Sequence, residues 1–319
     1  MYTILAKLKE KIDSLGGFIN AHSHLDRAGT VEYFTKEEQY RFLKEKWKLV
    51  DKVKRQSDYV MYKNRINKAL TSQLSHGVSN ICSFIDIDDV ASNRAILAAS
   101  CVAKERDDIT LYTACQTLKG VLDPTQDVLL RNSFLHIDII GSLPAADKGQ
   151  EAEHLDKVML WAKSQNKRLH VHVDQLNTPA EKETELLARK TIQHGLEGKV
   201  TAVHSISIAA HPKQYRKEVY KMSRDAGLSF IACPSAWIDH PRREDLVPSH
   251  NAITPVDELL ENDLIVAIGS DNIHDIYKPY TDGNMMFELR LLLEACKIYD
   301  EEALVQIATE NGKKVLGIT

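Results

Sequence analysis

Eight short apolar, β-prone runs recur along the chain with helix-like stretches between them, and this alternation is the strongest constraint on its fold. The runs are Gly17–Asn20, Ser79–Ile85, Ile109–Ala114, His136–Gly141, Arg168–Val173, Val200–His204, Ser229–Cys233 and Leu264–Gly269. Helical patterning lies between them at Ala91–Lys104, Asp156–Gln165, Ala180–His194, Lys213–Asp225 and Val256–Glu261. Repeated strand–helix–strand units impose parallel pairing, because each right-handed crossover returns the chain to the same end of the sheet. Eight is the number of strands that closes a barrel, so the pattern predicts an α/β domain of the (β/α)8 TIM-barrel class. An open doubly wound sheet is the alternative. It requires a glycine-rich phosphate turn after an early strand, and no GxGxxG occurs.

The 319 residues suit one barrel, which takes about 250 residues and tolerates insertions. Residues 1–319 therefore read as one domain, with two segments outside the repeating pattern. Met1–Ser14 has the spacing of an amphipathic helix and is expected to cap the N-terminal end of the barrel. Thr30–Asp58, rich in Lys, Glu and aromatic residues, is too long for a simple loop and is expected to form a helical insertion (30–58) over the barrel mouth. A formal net charge of -4 without a polybasic stretch argues against nucleic-acid and membrane partners and leaves a small-molecule substrate, with homo-oligomerisation open. No apolar run is long enough to span a bilayer. The N-terminal segment carries Lys7, Lys9, Glu10 and Lys11 among its apolar positions, unlike a signal peptide. Five scattered cysteines with no CxxC pair fit a reducing, cytoplasmic setting.

In a barrel of this class the chemistry sits at the C-terminal ends of the strands. Strand one ends in Asn20-Ala21-His22-Ser23-His24, and alternating side chains let such an HxH pair offer two imidazoles to one ion. Strand five supplies His172, strand six His204 and strand eight Asp271. Each alone is weak evidence. His170 and His172 form a second HxH of which one member need not touch metal, and an Asp after an apolar run is usually a helix cap. Five such residues, in order at the ends of four strands, are hard to obtain by chance. Imidazoles with a carboxylate suit one divalent metal ion, zinc ahead of iron or manganese, with room for a bound water.

From Leu15 to about Cys296 the chain resembles the cytosine deaminase-like branch of the amidohydrolase superfamily. The resemblance is carried by Gly16-Gly17-Phe18-Ile19-Asn20-Ala21-His22-Ser23-His24-Leu25-Asp26, Val171-His172-Val173-Asp174, Thr201-Ala202-Val203-His204-Ser205, Ala232-Cys233-Pro234 and Ser270-Asp271-Asn272. The stretch from Asp275 to Asn284 and the Gln116 to Gly120 element add to it. It implies that His22, His24, His172 and Asp271 bind the metal, that His204 hydrogen-bonds the attacking water or the substrate, and that Gln116 contacts the substrate ring. Two positions depart from the pattern. The family's proton-shuttling glutamate, three residues after the strand-five histidine, is Gln175 here. The carboxylate after the strand-eight aspartate is Asn272. An amide does not exchange protons near neutral pH, so pyrimidine deamination is in doubt while the metal ligands are intact. The family's flanking β-sandwich is expected to be absent, since some 15 residues before the first strand are too few to build it.

With no shuttle, Asp271 is the best remaining general base and His204 can polarise the substrate. Gln116, Gln175, Asn272 and Tyr277 are the candidate substrate contacts. Asp174 is a weaker base candidate. Strand four offers no lysine for a second metal, leaving Lys119 as a remote substitute. Trp237 and Ile238 could stack on a planar substrate or pack in the core, and His240, Arg242 and Arg243 read as a solvated basic loop. Two functions follow: hydrolysis of a C–N bond other than a peptide bond (deamination, or amide, amidine or lactam cleavage) in a small nitrogen-rich compound, or a catalytically silent barrel that binds a small ligand.

Overall fold

The computed structural model describes residues 4–239 and 253–318, with the backbone alone at 237–239. His240, Arg242, Arg243 and the side chains of Trp237 and Ile238 therefore lie outside the described residues. Eight parallel strands run in chain order: β1 (Phe18–Ser23), β2 (Val78–Asp86), β3 (Thr110–Gln116), β4 (Ile139–Ser142), β5 (Arg168–Val173), β6 (Val200–His204), β7 (Ser229–Ala232) and β8 (Ile265–Ile268). A parallel bridge between Ser23 and Asp271 joins the first strand to the segment leaving the last, making the sheet a (β/α)8 barrel.

The strands alternate as their period of two requires. Ile19, Phe84, Ile139, Val203 and Ala267 fill the barrel interior. Phe18, Ile85, Ile140, Ala202 and Val266 face the helical layer. Both sets are apolar, because a parallel sheet covered by helices has no wet face. The helices Lys213–Asp225 and Val256–Glu261 have the bounds the sequence predicts, Asp156–Gln165 and Ala180–His194 shift at their first residue, and Ala91–Lys104 shifts at both ends. β4 begins at Ile139, three residues later than the apolar run predicts, because Phe134–His136 wind into a 3-10 turn.

The end of the barrel opposite the strand C-termini departs from expectation. The N-terminal helix Ile4–Ser14 was the expected cap, but its buried Leu8 and Ile12 join the outer layer. The interior is instead plugged by the C-terminal helix Glu310–Leu316, whose Val315 and Leu316 pack among the inward strand residues. Asn311 donates to the Val266 carbonyl, and His170 donates Nε2–H to the Val315 carbonyl at 3.0 Å. That bond assigns His170 to the plug, one layer away from His172. At the other end, 30–58 holds short helical pieces at Val31–Tyr33, Lys36–Gln39, Leu43–Leu49 and Asp51–Gln56. No described helix is long and apolar enough to cross a membrane.

The plug helix approaches β1 closely at Gly312, where an added Cβ would lie 2.5 Å from the Cβ of Ile19. Gly312→Ala should therefore destabilise the protein by about 1–3 kcal/mol through overpacking. A thermal melt would show the midpoint lowered by several degrees; an unchanged midpoint would mean that the helix does not plug the barrel.

Candidate active site

Strand geometry brings His22, His24, His172, His204 and Asp271 together at one end of the barrel, all buried. The ring centroids of His22 lie 4.9 Å from His24, 4.7 Å from His172 and 5.5 Å from His204. One Asp271 oxygen stands 3.4 Å from His22 Nε2 and 3.2 Å from His24 Nε2. Two overlapping sets of potential ligand atoms result, His22 with His24 and His172, and His22 with His204 and Asp271, each set within 4.8 Å.

The backbone is strained to achieve this. His204, Ser205 and Asp271 leave their strands with positive φ (76°, 51° and 57°), as does Asp174 (51°). For residues other than glycine this costs roughly 1–3 kcal/mol each and persists where surrounding contacts enforce it. Asp271 N–H donates to the His22 carbonyl at 2.9 Å, and Asn20 Nδ2 donates to Ser270 Oγ at 2.8 Å while its own Oδ1 accepts from Ser270 N–H. The ligand-bearing ends of β1 and β8 are thus held to each other.

Charge and tautomer suit a cation. His172 Nδ1–H donates to the Ser142 carbonyl at 3.3 Å, which leaves its Nε2 lone pair for the site. Both ring nitrogens of His22 and Nδ1 of His24 and of His204 are buried without a hydrogen-bond partner. Burial pushes His22 down to about 3, with His24 repelling and Asp271 opposing; it pushes His24 down to about 4, helped by the Arg27 charge. His172 is held well below the ordinary value by burial and its histidine neighbours, and His204 is lowered by burial. Burial alone would raise Asp271, but the adjacent His22 and His24 rings outweigh it and hold the carboxyl well below the usual range. Neutral imidazoles around an ionised carboxylate are the donor set of a first-row divalent cation.

The cavity above this cluster is lined by His24, Arg27, Leu43, Trp47, Gln116, Leu118, Leu143, His172, Gln175, His204, Ile206, Ala236, Asp271, Asn272 and Tyr277. All four candidate substrate contacts, Gln116, Gln175, Asn272 and Tyr277, are in that lining. Asp271 is the one carboxylate in it among the described residues. Asp174 faces elsewhere: its carboxylate accepts N–H from Glu183 and Thr184, capping the helix Glu183–His194. Lys119 pairs with Asp89 at 2.6 Å and is not part of the lining.

Arg27, Leu43, Trp47 and Asp86 are functional neighbours that the sequence reading missed. Leu43 and Trp47 come from the insertion, whose pattern does not announce which residues turn inward. Arg27 Nη1 donates to Asp86 at 3.1 Å and its guanidinium sits 5.0 Å from the Tyr277 ring centroid. Asp86 could have been found, since it closes β2 after Ile85 in the same apolar-then-polar pattern that marked the ligands.

The strands thus gather four histidines and an aspartate at one end of an eight-stranded parallel barrel. The amidohydrolase family model matches residues 15–319, and the chain belongs to that family, as a hydrolase of C–N bonds. An uncharacterised protein of Haemophilus influenzae is 44% identical over 262 residues, covering 79% of this chain and 94% of that protein. The N-isopropylammelide isopropyl amidohydrolase of Pseudomonas sp. (strain ADP) is 25% identical over 331 residues, covering 98% of this chain and 78% of that protein. The structure of 5-methylcytosine deaminase from Klebsiella pneumoniae liganded with phosphonocytosine superposes with a TM-score of 0.87 at 23% identity, covering 95% of this chain and 75% of that one.

Acid should weaken the metal-free protein. An unfolded histidine takes a proton near 6.5, whereas His22 and His24 resist protonation until about 3 and about 4. Between those limits the unfolded state binds more protons, so stability falls as pH is lowered through that window. Chelator-treated protein should show a melting midpoint that drops steadily from pH 7 to pH 5, less steeply in His22→Gln. A flat profile would mean that the histidines are not buried uncharged.

Proposed function

We propose that this protein is a metal-dependent amidohydrolase that cleaves a C–N bond other than a peptide bond in a small, planar, nitrogen-rich compound. The reading is carried by the convergence of buried imidazole nitrogens without protein partners on the ionised Asp271. His22, His24, His172 and Asp271 would hold one divalent ion, zinc by the donor set, with iron or manganese as alternatives. Such an ion lowers the pKa of water from about 15.7 toward about 7.

The chain's own residues do the rest. Asp271 accepts a proton from the attacking water as oxygen bonds to the substrate carbon. It returns that proton to the departing nitrogen as the C–N bond breaks. His204 places its unpartnered ring nitrogen where a substrate carbonyl or amidine would accept a hydrogen bond. Gln116, Gln175, Asn272 and Tyr277 position the substrate. With Gln175 and Asn272 as amides, no second carboxylate stands in the described lining to shuttle protons, which argues against cytosine as substrate. All five cysteines are free, which supports a cytoplasmic location.

Gln175 also favours a second reading, an inactivated deaminase retained to bind a ligand. Intact ligands weigh against it, because a binding module has little need of a water-activating set.

Elemental analysis should find about one metal per chain, largely lost in His172→Ala and Asp271→Ala. Metal-free protein with full activity would end the reading. Cytosine turnover should fall short of the roughly 1–1,000 per second usual for enzymes on their own substrates.

A panel of amides, lactams and amino-heterocycles, run on wild type and two variants, separates the two readings. In a working hydrolase Gln175→Glu harms turnover, because a carboxylate beside Asp271 repels it and raises a pKa. Gln175→Ala costs about 1–3 kcal/mol of substrate binding. An inert wild type that gains activity in Gln175→Glu would establish the silent barrel instead.

A further inference from the structure

Behind the site, Ser142, His154 and Asp147 form a chain of hydrogen bonds that the chemistry above does not use. Ser142 closes β4, and His154 stands in the first turn of the helix Glu151–Gln165. Asp147 Oδ2 accepts from His154 Nδ1–H at 2.6 Å and from the backbone N–H groups of Val121 and Leu122 at 2.8 and 3.3 Å. His154 Nε2 lies 2.8 Å from Ser142 Oγ. The carbonyl of the same Ser142 accepts Nδ1–H of His172 at 3.3 Å.

The direction of each bond is fixed. Burial alone would raise the pKa of Asp147, but His154 and the two backbone amides outweigh it and keep the carboxyl ionised. A carboxylate only accepts, so Nδ1 of His154 carries the hydrogen. Burial holds His154 below its ordinary value, against the pull of Asp147. The neutral ring then offers a lone pair at Nε2, and Ser142 Oγ–H donates to it. Serine, histidine and aspartate are also the parts of a nucleophilic triad. Here Ser142 is 2% exposed and absent from the cavity lining, where its neighbour Leu143 stands instead, so its hydroxyl does not meet a substrate. What the chain of bonds reaches is His172. The strand ladder holds Ser142 from the β5 side alone, through Val171, because β3 pairs with β4 only between Ala114 and Ile139. Asp147 and His154 supply the missing tie on the β3 side, through the loop that holds Val121 and Leu122. That loop fits closely: a Cβ added to Gly120 would collide with the Asp147 carboxylate.

We propose that Asp147, His154 and Ser142 are positioning residues for His172: they fix the Ser142 carbonyl, which keeps the His172 proton on Nδ1 and its Nε2 lone pair turned into the site. The inference rests on the proposed function only in taking His172 as a metal ligand. A ring held in advance in the ligating tautomer binds an ion without first moving a proton, and losing such a supporting partner costs roughly 10- to 100-fold in metal affinity.

Two readouts test it, neither of them turnover. Zinc affinity is measured by competition with a chromophoric chelator, and the His172 tautomer by nitrogen NMR of labelled histidines in metal-free protein. Ser142→Ala and His154→Gln should each weaken zinc binding by about 10-fold or more. Both should also populate the tautomer with the proton on Nε2, whereas wild type holds it on Nδ1. Ser142→Thr keeps the hydroxyl and should restore most of the affinity. Tyr220→Phe serves as the control, since it removes a hydrogen bond to Glu258 between outer helices. It should lower the melting midpoint and leave zinc affinity and tautomer alone. If His154→Gln does not fold, Ser142→Ala decides the matter. Wild-type zinc affinity in Ser142→Ala, or an equal loss in Tyr220→Phe, would overturn the proposal while leaving the proposed function standing. A wild type that binds no zinc would sink the proposed function instead, and the tautomer readout would then decide this inference alone: an unchanged Nδ1–H in both variants would end it.

Discussion

Closure of the barrel is the constraint on which the site depends. The first and last strands meet through the bridge between Ser23 and Asp271, beside the Asp271 N–H bond to the His22 carbonyl. Residues some 250 positions apart in sequence are thereby placed side by side by backbone hydrogen bonds. The side chains gain their geometry from the main chain, which is more rigid than any loop. Gly269 permits this approach: an added Cβ there would lie 2.7 Å from the Cβ of His22. Left-handed backbone at His204 and Asp271 is the local cost, borne because closure leaves those residues no other path.

A second constraint concerns charge. The mouth of the barrel buries Arg27, Lys54, Asp86, Asp88 and Asp275 in one connected network, with the insertion contributing Lys54, the end of β2 Asp86, and the segments after β2 and β8 Asp88 and Asp275. Removing one partner from such a network leaves an uncompensated buried charge, so the members stand or fall together. The network lies beside the cavity and sets the polarity of what lines it. Two amides replace carboxylates at positions 175 and 272, so the lining is nearly uncharged apart from Asp271 and Arg27.

By itself the sequence determined the fold class, because the alternation of apolar runs and helical stretches leaves a parallel eight-stranded closure as the consistent solution. It also determined which histidines and which aspartate could serve, since they stand at strand ends and strand ends converge in a barrel. His172 and His170 could not be separated by that reasoning: a period of two puts both inside, and only the plug helix, which takes His170 through the Val315 carbonyl, assigns them to different layers. The same helix displaces the N-terminal segment from the capping role its amphipathic pattern suggested. Tertiary structure alone decided that Leu43 and Trp47 enter the cavity, that Asp174 caps a helix, and that Gln116 donates to Asp86. The physical reason is common to all of these. Periodicity records which face of an element is buried, whereas hydrogen-bond partners are chosen by contacts distant in sequence, and those exist only once the barrel has closed.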